Sequence, residues 1–312
     1  MKKYIIIIVI FQLLSFSITV GSEVKEKKYK KIASLYMASD EVLFDLVDKK
    51  RVIAWSGNYD GNEMSSILGE KIKNDVKIED NIEFLLNLEP DLVIASERVR
   101  KEIVLFLEEA GIELYRYKIP RSFEQQKEMI TNLAILLEEE ERGKEIIENM
   151  EKRLKLLQEK IKKNNNLFPR VLEYSHYEVT NGQGSIFNDM LENLYITNLA
   201  VELGVGKFGK ISKEKVIEIN PDIILIPVWR KEEDSDNMKF IDILKNDESF
   251  NEVNAIKNNK IYTIPGKYLY ISSQYIVEGM EEIANKVYGF KKEEYWCSIF
   301  YLLHLIISKI IY

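Results

Sequence analysis

The sequence NIEFLLNLEPDLVI at residues 81–94 carries the clearest signal of the fold, because SKEKVIEINPDIIL at residues 212–225 repeats its pattern. In each copy a polar residue, Asn81 or Ser212, is suited to cap a short helix by accepting a hydrogen bond from a free N–H. The proline of each copy then prevents the helix from continuing. The wholly apolar run that follows is typical of a parallel strand buried on both faces. The repeat therefore predicts two similar α/β units.

A glutamate stands seven residues before the proline in each copy, at Glu83 and at Glu214. Both fall in the first turn of the predicted short helix. A carboxylate there interacts favourably with the helix dipole, an effect of about 0.3–1 kcal/mol. The residues alone favour this structural role.

Outward from the repeat, short apolar runs alternate with amphipathic stretches, as in βα units around a mainly parallel sheet. Between two groups of such units, a charged, proline-free stretch carries apolar residues at helical spacing, and its acidic run at 138–141 is interpreted as a solvated helix face. The predicted fold class is α/β, with two Rossmann-like lobes, each with a mainly parallel sheet, joined by one long α-helix. The expected limits are 28–138 for the N-terminal lobe, 139–165 for the linking helix and 166–290 for the C-terminal lobe. The predicted strands are Ile32–Tyr36, Val52–Trp55, Asp91–Ala95, Glu113–Tyr117, Arg170–Tyr174, Asp222–Val228 and Lys260–Ile264.

The two ends of the chain differ from its middle. Residues 1–22 have the charge and apolar pattern of a secretory signal peptide, and an uncleaved membrane anchor is the alternative. No cysteine follows this apolar stretch for lipid attachment, so the protein is expected in the periplasm of a Gram-negative cell. Residues 291–312 form an apolar tail, which is interpreted as a membrane contact or as a segment packed on the body of the protein.

The composition excludes several kinds of function. The 312-residue chain has a formal net charge of −7, so no nucleic-acid partner is expected. One cysteine and two histidines cannot build a cysteine-based cluster or a three-histidine metal cage, and no metal-ligating residues are predicted. Residues 204–209 match G-x-G-x-x-G, but a predicted helix precedes them, so they are interpreted as a helix C-cap and loop. Catalytic residues and an intrinsic cofactor are not predicted.

Aromatic and polar residues follow the predicted strands, where open α/β sheets place their ligands. Flat rings with phenol, indole and guanidinium edges suit a large ligand with polar groups. The two arginines among them are suited to pair with an anionic group of that ligand. The alternative for each aromatic residue is packing within the protein. The candidate ligand-binding residues are Trp55, Tyr59, Arg98, Tyr174, Tyr177, Trp229, Arg230 and Tyr268.

The chain resembles the substrate-binding proteins of ABC importers for iron–siderophores, haem and cobalamin, over roughly residues 31–290. The residues that carry the resemblance are an opening strand and helix, two strands that each follow a Pro-Asp pair, a segment that precedes the last strand, and a closing helix. In order, these stretches are 32–46, 89–94, 220–224, 254–262 and 279–284.

The resemblance implies a binding protein without enzyme activity that captures a ferric siderophore or haem between its lobes, with cobalamin as an alternative ligand. It also implies an ABC transporter permease dimer as partner. In the family, one glutamate on each lobe docks into arginine pockets of the permease. Glu83 and Glu214 occupy the matching positions, so the resemblance assigns them to docking.

Three other classes compete with this interpretation. The binding protein of a zinc or manganese importer needs several histidines in its cleft, and only His176 is suitably placed. An enzyme of nitrogenase-like architecture needs cysteine ligands that the chain lacks. A tethered sensor or structural protein on the same lobes has only the apolar tail in its favour.

Overall fold

The computed structural model describes residues 27–57, 66–78, 82–163, 168–229 and 233–290. These residues form two lobes, each built on a parallel sheet, joined by one long helix, so the predicted fold class is confirmed. No helix in these ranges is both long enough and apolar enough to cross a membrane. Five predictions lie outside the described residues: the signal peptide at 1–22, Tyr59, Asn81 as a helix cap, Arg230 and the role of the tail at 291–312.

The N-terminal lobe contains five strands: β1 (Ile32–Ser34), β2 (Val52–Ser56), β3 (Lys77–Ile78), β4 (Leu92–Ser96) and β5 (Glu113–Tyr117). They form one parallel sheet in the spatial order β3-β2-β1-β4-β5. Its helices are α1 (Met37–Leu46), α2 (Ile82–Asn87), α3 (Lys101–Glu109) and α4 (Phe123–Leu137), with a 3₁₀ turn at Lys49–Arg51.

A single helix, α5 (Glu140–Lys163), links the two lobes. Near its start, Arg142 Nε donates to the Asp45 carbonyl of α1 at 2.8 Å. Near its end, Gln158 Nε2 donates to the Asn193 carbonyl of the C-terminal lobe at 3.0 Å. The helix is therefore fixed to both lobes. Its buried residues recur at helical spacing: Gly143, Ile146, Met150, Leu154, Leu157 and Ile161.

The C-terminal lobe repeats this plan with six strands: β6 (Arg170–Glu173), β7 (Val179–Thr180), β8 (Thr197–Asn198), β9 (Gly209–Lys210), β10 (Ile223–Val228) and β11 (Ile261–Pro265). Four form a parallel sheet in the order β11-β10-β6-β8, and β7 pairs with β9 in an antiparallel ribbon. The helices are α6 (Ile186–Asn193), α7 (Leu199–Glu202), α8 (Lys213–Ile219), α9 (Glu233–Asn246), α10 (Asn254–Lys257), α11 (Gly266–Leu269) and α12 (Ile276–Tyr288), with a 3₁₀ turn at Glu248–Phe250.

The sequence repeat occupies equivalent places in the two lobes. Its strands, β4 and β10, each lie between the first and last strands of their lobe. The aspartate after the proline fixes the neighbouring first strand in both cases. Asp91 Oδ2 accepts the Lys30 backbone N–H at 2.7 Å, and Asp222 Oδ2 accepts the Arg170 backbone N–H at 3.2 Å. The repeat is thus a structural unit that both lobes share.

Both central strands bury both of their faces, as their wholly apolar sequences predict. Leu92 and Ile94 of β4 face a core that also contains residues of α5 and of the C-terminal sheet, whereas Val93 faces a separate cluster with Leu85 and Leu107. β10 alternates in the same way between the shared core and a cluster of its own lobe. The shared core therefore runs through both lobes and along the linking helix.

The acidic run at 138–141 differs from the sequence-based interpretation, because it is not the solvated face of one continuous helix. Glu138 adopts left-handed backbone, with φ of 58°, and ends α4 before α5 begins. The carboxylate of Glu139 pairs with Arg51 Nη1 at 2.6 Å. The run thus separates two helices and holds the start of α5 against the N-terminal lobe.

Ser212 occupies the N-cap position of α8, but its hydroxyl accepts no bond from a helix N–H, so the prediction of a side-chain cap at Ser212 is wrong. This hydroxyl instead donates a hydrogen bond to the Glu214 carboxylate. Asn81, the residue expected to cap α2, lies outside the described residues. The interpretation of residues 204–209 is confirmed, because Gly204, with φ of 72°, follows α7 and opens a loop.

The residue before the proline provides a test of backbone strain, since Glu89 and Asn220 both adopt left-handed backbone, with φ of 49° and 50°. Asparagine tolerates this conformation better than glutamate does. We expect Glu89→Asn to raise the free energy of unfolding by about 0.5–1 kcal/mol, part of the ~1–2 kcal/mol that left-handed backbone costs an ordinary residue. Denaturant unfolding measures this change.

Glu108→Asn is the matched control, because Glu108 is exposed on helix α3 and lacks left-handed backbone. This control is expected to leave stability unchanged or slightly reduced, since asparagine favours helices less than glutamate does. Equal effects of the two substitutions would contradict the strain at Glu89.

Candidate functional site

A cavity of about 280 Å³ lies between the two lobes, and we call it the cleft cavity. The N-terminal lobe lines it with the start of α1 and with the chain just after β5. The C-terminal lobe lines it with the ends of β10 and β11 and the chain that follows α11. Its lining residues are Tyr36, Met37, Ala38, Glu41, Tyr117, Ile119, Trp229, Gly266, Lys267, Tyr270, Ile271 and Ser272.

A second cavity, of about 260 Å³, lies in the C-terminal lobe, and we call it the C-lobe cavity. It opens beside the carboxyl end of β6 and is rich in aromatic rings. Two of its residues, Trp229 and Tyr270, also line the cleft cavity, so these two rings separate the cavities. The lining residues are Glu173, Ser175, His176, Tyr177, Val179, Asn181, Phe208, Pro227, Trp229 and Tyr270.

The rings of Trp229 and Tyr270 are stacked, with centroids 4.9 Å apart and planes 7° apart. Trp229 directly follows β10 and remains 39% exposed. Gly266 makes the arrangement possible, because a Cβ at this position would lie 2.5 Å from the Trp229 ring. The stack thus presents a flat aromatic surface at the cleft, where a planar or polycyclic ligand can pack.

Glu173 lies buried behind the stack. Its carboxylate accepts hydrogen bonds from the Tyr270 hydroxyl and from Asn181 Nδ2, the latter at 2.8 Å. Burial raises the pKa of Glu173 to about 7, although these hydrogen bonds act in the opposite direction. The pKa of Tyr270 is also raised, first by burial and then by the nearby Glu173 carboxylate. The network therefore fixes the orientation of the Tyr270 ring from the side away from the cleft.

A second buried carboxyl, Glu41 on α1, lies at the N-terminal side of the cleft cavity. Ser273 Oγ donates to it at 2.6 Å, which joins the chain after Tyr270 to the opposite lobe. Burial raises the pKa of Glu41 to about 7, the Ser273 bond lowers it, and the neighbouring Asp40 raises it further. One buried carboxyl from each lobe therefore holds the chain segment that carries Tyr270.

Two of the predicted ligand residues lie at these cavities. Tyr177 is 62% exposed in the C-lobe cavity, with its ring 3.8 Å from that of His176, and Trp229 lines both cavities. Trp55 and Tyr174 lie in the core instead. The centroid of the Trp55 ring lies 6.2 Å from that of Phe44. Trp55 and Tyr174 are each at most 3% exposed, so we leave these two residues out of the proposed ligand site.

Arg98 and Tyr268 line neither the cleft cavity nor the C-lobe cavity. Arg98 is exposed after β4. Tyr268 is half-buried in α11, and its carbonyl lies close to Gly279 of α12. Their roles in ligand binding stay predictions.

The sequence-based prediction missed Glu173 and Tyr270 as site residues. Glu173 carried a signal, since a lone carboxylate in an otherwise apolar predicted strand indicates a buried charge with a specific partner. Tyr270 carried a weaker one, because it stands two residues from the chosen Tyr268. To choose Tyr270 as a site residue, one must know which way the chain runs after α11, and the sequence pattern does not show this.

The two glutamates of the repeat are exposed, each in the first turn of a short helix, α2 or α8. Two contacts hold the Glu214 carboxylate in its charged form and lower its pKa: the Ser212 hydroxyl first, then its own backbone N–H. Glu83 and Glu214 therefore present one carboxylate on the surface of each lobe at equivalent places of the fold.

No group of three or more histidine, cysteine, aspartate or glutamate side chains suited to hold a metal ion occurs in the described part of the chain. The cleft cavity and the C-lobe cavity instead offer aromatic faces, hydroxyl groups and one buried carboxyl each, Glu41 and Glu173. Such a set suits a bound organic complex.

Comparisons with known proteins agree with this geometry. A family model described as "Periplasmic binding protein" matches residues 32–268. The uncharacterized ABC transporter substrate-binding lipoprotein YvrC of Bacillus subtilis is 24% identical over 274 residues, covering 84% of this chain and 81% of YvrC. The iron-uptake system-binding protein of the same organism is 25% identical over 237 residues, covering 73% of this chain and 71% of that protein.

A solved structure has the same fold. It is described as a possible iron-binding, periplasmic solute-binding protein from Staphylococcus epidermidis, with a TM-score of 0.71 and 24% identity, and the match covers 84% of this chain and all of that one. The family match extends over most of the sequence and includes the linking helix and most of each lobe. The chain therefore belongs to the periplasmic binding protein family, the family of ABC-importer substrate-binding proteins that its sequence resembles.

Proposed function

We propose that this protein captures an iron complex, either a ferric siderophore or haem, outside the cytoplasmic membrane and delivers it to the permease of an ABC importer. The observation that carries the proposal is the stacked Trp229–Tyr270 pair at the cleft between the lobes. A flat aromatic wall suits a large complex whose metal is surrounded by unsaturated organic groups better than it suits a bare ion or a small sugar. Cobalamin is the alternative ligand of the same site.

The name of one relative, an iron-uptake system-binding protein, supports iron as the cargo. The relatives are binding proteins, which supports a role without catalysis. The YvrC protein is described as a lipoprotein, whereas the single cysteine of this chain is Cys297, far from its N-terminal apolar stretch. A periplasmic location without a lipid anchor is therefore part of the proposal.

The linkage between the lobes supports a clamp that is largely formed before the ligand binds. Besides α5, the segment 271–274 ties the lobes together, because Gln126 Nε2 donates to the Ile271 carbonyl at 3.1 Å and Gln274 Nε2 donates to Asp45 Oδ2 at 2.8 Å. With these connections, only small rotations of the lobes are expected on ligand binding. Release then requires the transporter to act on both lobes.

We assign permease docking to Glu83 and Glu214. Their exposure on equivalent short helices of the two lobes supports this role, since each carboxylate is accessible to a guanidinium group on a partner. Two docking points, one per lobe, also give the transporter a means to separate the lobes and open the cleft.

The first experiment is a fluorescence titration of the purified full chain with ferric hydroxamate, ferric catecholate, haem, cobalamin and free Zn²⁺. We expect one iron complex to quench the tryptophan emission in a saturable way. Calorimetric titration measures the variants, since Trp229→Ala removes the reporting indole. Trp229→Ala and Gly266→Ala should each weaken this binding at least about tenfold, because the first removes the stack and the second places a Cβ 2.5 Å from the indole.

Gly69→Ala is the control for the glycine variant, since a Cβ there meets no atom within 4 Å. Thermal unfolding of each variant separates a lost site from a lost fold. Saturable binding of cobalamin alone would replace the iron complex as cargo, and a response to Zn²⁺ alone would contradict the proposed function. Wild-type affinity of Trp229→Ala would place the ligand elsewhere.

The docking role predicts that the double variant Glu83→Lys/Glu214→Lys loses transport while it retains ligand affinity, because each lysine would face a permease cation. Uptake of radioactive iron by cells that express the importer measures the loss, which we expect to exceed about tenfold. Glu102→Lys/Glu218→Lys is the matched control, since both residues are exposed glutamates of helices, one in each lobe. Unchanged uptake in the first double variant would contradict docking and favour a sensor on the same fold.

A further inference from the structure

A third cavity, of about 710 Å³, lies beside the cleft cavity, and we call it the basic cavity. Tyr117 and Ile119 line both it and the cleft cavity, so the two cavities are adjacent. A ligand seated against the Trp229–Tyr270 stack can therefore extend into it. The lining residues are Glu97, Tyr115, Arg116, Tyr117, Lys118, Ile119, Pro120, Arg121, Gln125, Glu128, Met129, Asn132 and Lys207.

The basic cavity has an excess of positive charge, although the whole chain is acidic. Its four cationic side chains face two carboxylates, Glu97 and Glu128, which leaves a local formal charge of +2 against −7 for the chain. Among the described residues, none of these four cations forms an ion pair. Their charges are thus available to a ligand.

Three of the cations belong to the N-terminal lobe. Arg116 lies on β5, which is an edge strand, and Lys118 follows two positions later, so both side chains leave the chain on the same side. Arg121 immediately precedes Ser122, which caps α4. The first turn of α4 contributes the neighbouring Gln125, whose side-chain oxygen accepts the Arg121 backbone N–H at 2.9 Å.

The fourth cation, Lys207, comes from the opposite lobe, on the glycine-rich loop at 204–209. Two backbone hydrogen bonds hold this loop, since Gly182 N–H donates to the Gly206 carbonyl and Gln183 N–H donates to the Val205 carbonyl, both at 2.9 Å. The stem of Lys207 passes Gly184, where a Cβ would lie 3.7 Å from Lys207 Cγ. The loop therefore presents Lys207 toward the three cations of the N-terminal lobe.

We infer that the basic cavity is an anion-binding subsite in which Lys207 of one lobe and Arg116, Lys118 and Arg121 of the other together select a metal chelate with a net negative charge. The inference rests on the proposed function and names the chemical class of its ligand. Like charges on opposite sides of a cleft repel each other. A ligand that places negative groups between the lobes replaces this repulsion by attraction to both. The glycine-rich loop thereby acquires a role in ligand selection.

The test compares two ferric complexes that differ in charge, an anionic tris-catecholate and an uncharged trihydroxamate, by calorimetric titration of the full chain. We expect the wild-type protein to favour the catecholate, with an affinity that falls as salt is added, because exposed charges are screened over about 8 Å at physiological ionic strength. Lys207→Gln should weaken catecholate binding about tenfold and reduce the salt dependence. It should leave trihydroxamate binding unchanged.

Lys210→Gln is the matched control, because Lys210 is exposed three residues further along the chain and lines none of the described cavities. Equal catecholate affinity in the wild-type protein and in Lys207→Gln would overturn the inference, and so would tighter binding of the uncharged complex. Both results leave the proposed function intact. If neither of these two complexes binds, and haem and cobalamin do not bind either, the proposed function itself is rejected.

Discussion

The hydrogen bonds between the segment 270–274 and its surroundings are the interaction on which the ligand cleft depends. Tyr270 donates to the buried Glu173 within the C-terminal lobe, and three positions later Ser273 donates to the buried Glu41 of the N-terminal lobe. One short segment thus fixes an aromatic wall and joins the lobes. The position of Tyr270, and through stacking that of Trp229, follows from these contacts.

The two lobes show how a repeated local pattern can build different surfaces. The proline, the left-handed residue before it and the aspartate after it produce the same helix-to-strand connection twice. The residues at and after the carboxyl ends of the strands differ between the lobes, however. The N-terminal lobe supplies cations after β5, whereas the C-terminal lobe supplies aromatic rings after β6 and β10. The shared framework therefore supports two unlike halves of one cleft.

Much of the fold could be predicted from the sequence because its signals are local. The seven predicted strands coincide with β1, β2, β4, β5, β6, β10 and β11 to within two residues at each end, since apolar runs bounded by proline or charged residues define a buried strand. The linking helix was recognisable by the spacing of its apolar residues. Strands of two residues, such as β3 and β8, are too short to show a period.

The site was less predictable, because it depends on which face of a strand each side chain occupies and on what covers that face. Trp55, Tyr174 and Trp229 all stand near the ends of predicted strands. Helices and neighbouring rings nevertheless cover Trp55 and Tyr174. Lys207 was part of a motif interpreted only as a loop, and the structure adds that this loop reaches the cavity between the lobes. Tertiary packing, which no local pattern contains, decides these cases.

The two buried carboxyls also connect the fold to the acidity of its surroundings. Burial raises the pKa of both Glu41 and Glu173 to about 7, whereas a solvated glutamate titrates near 4.5. Between these values the folded chain holds more protons than the unfolded chain, so the contribution of both groups to stability falls as the pH rises toward 7. Through these two groups mild acid therefore stabilises the folded chain relative to the unfolded chain, and proton uptake accompanies folding.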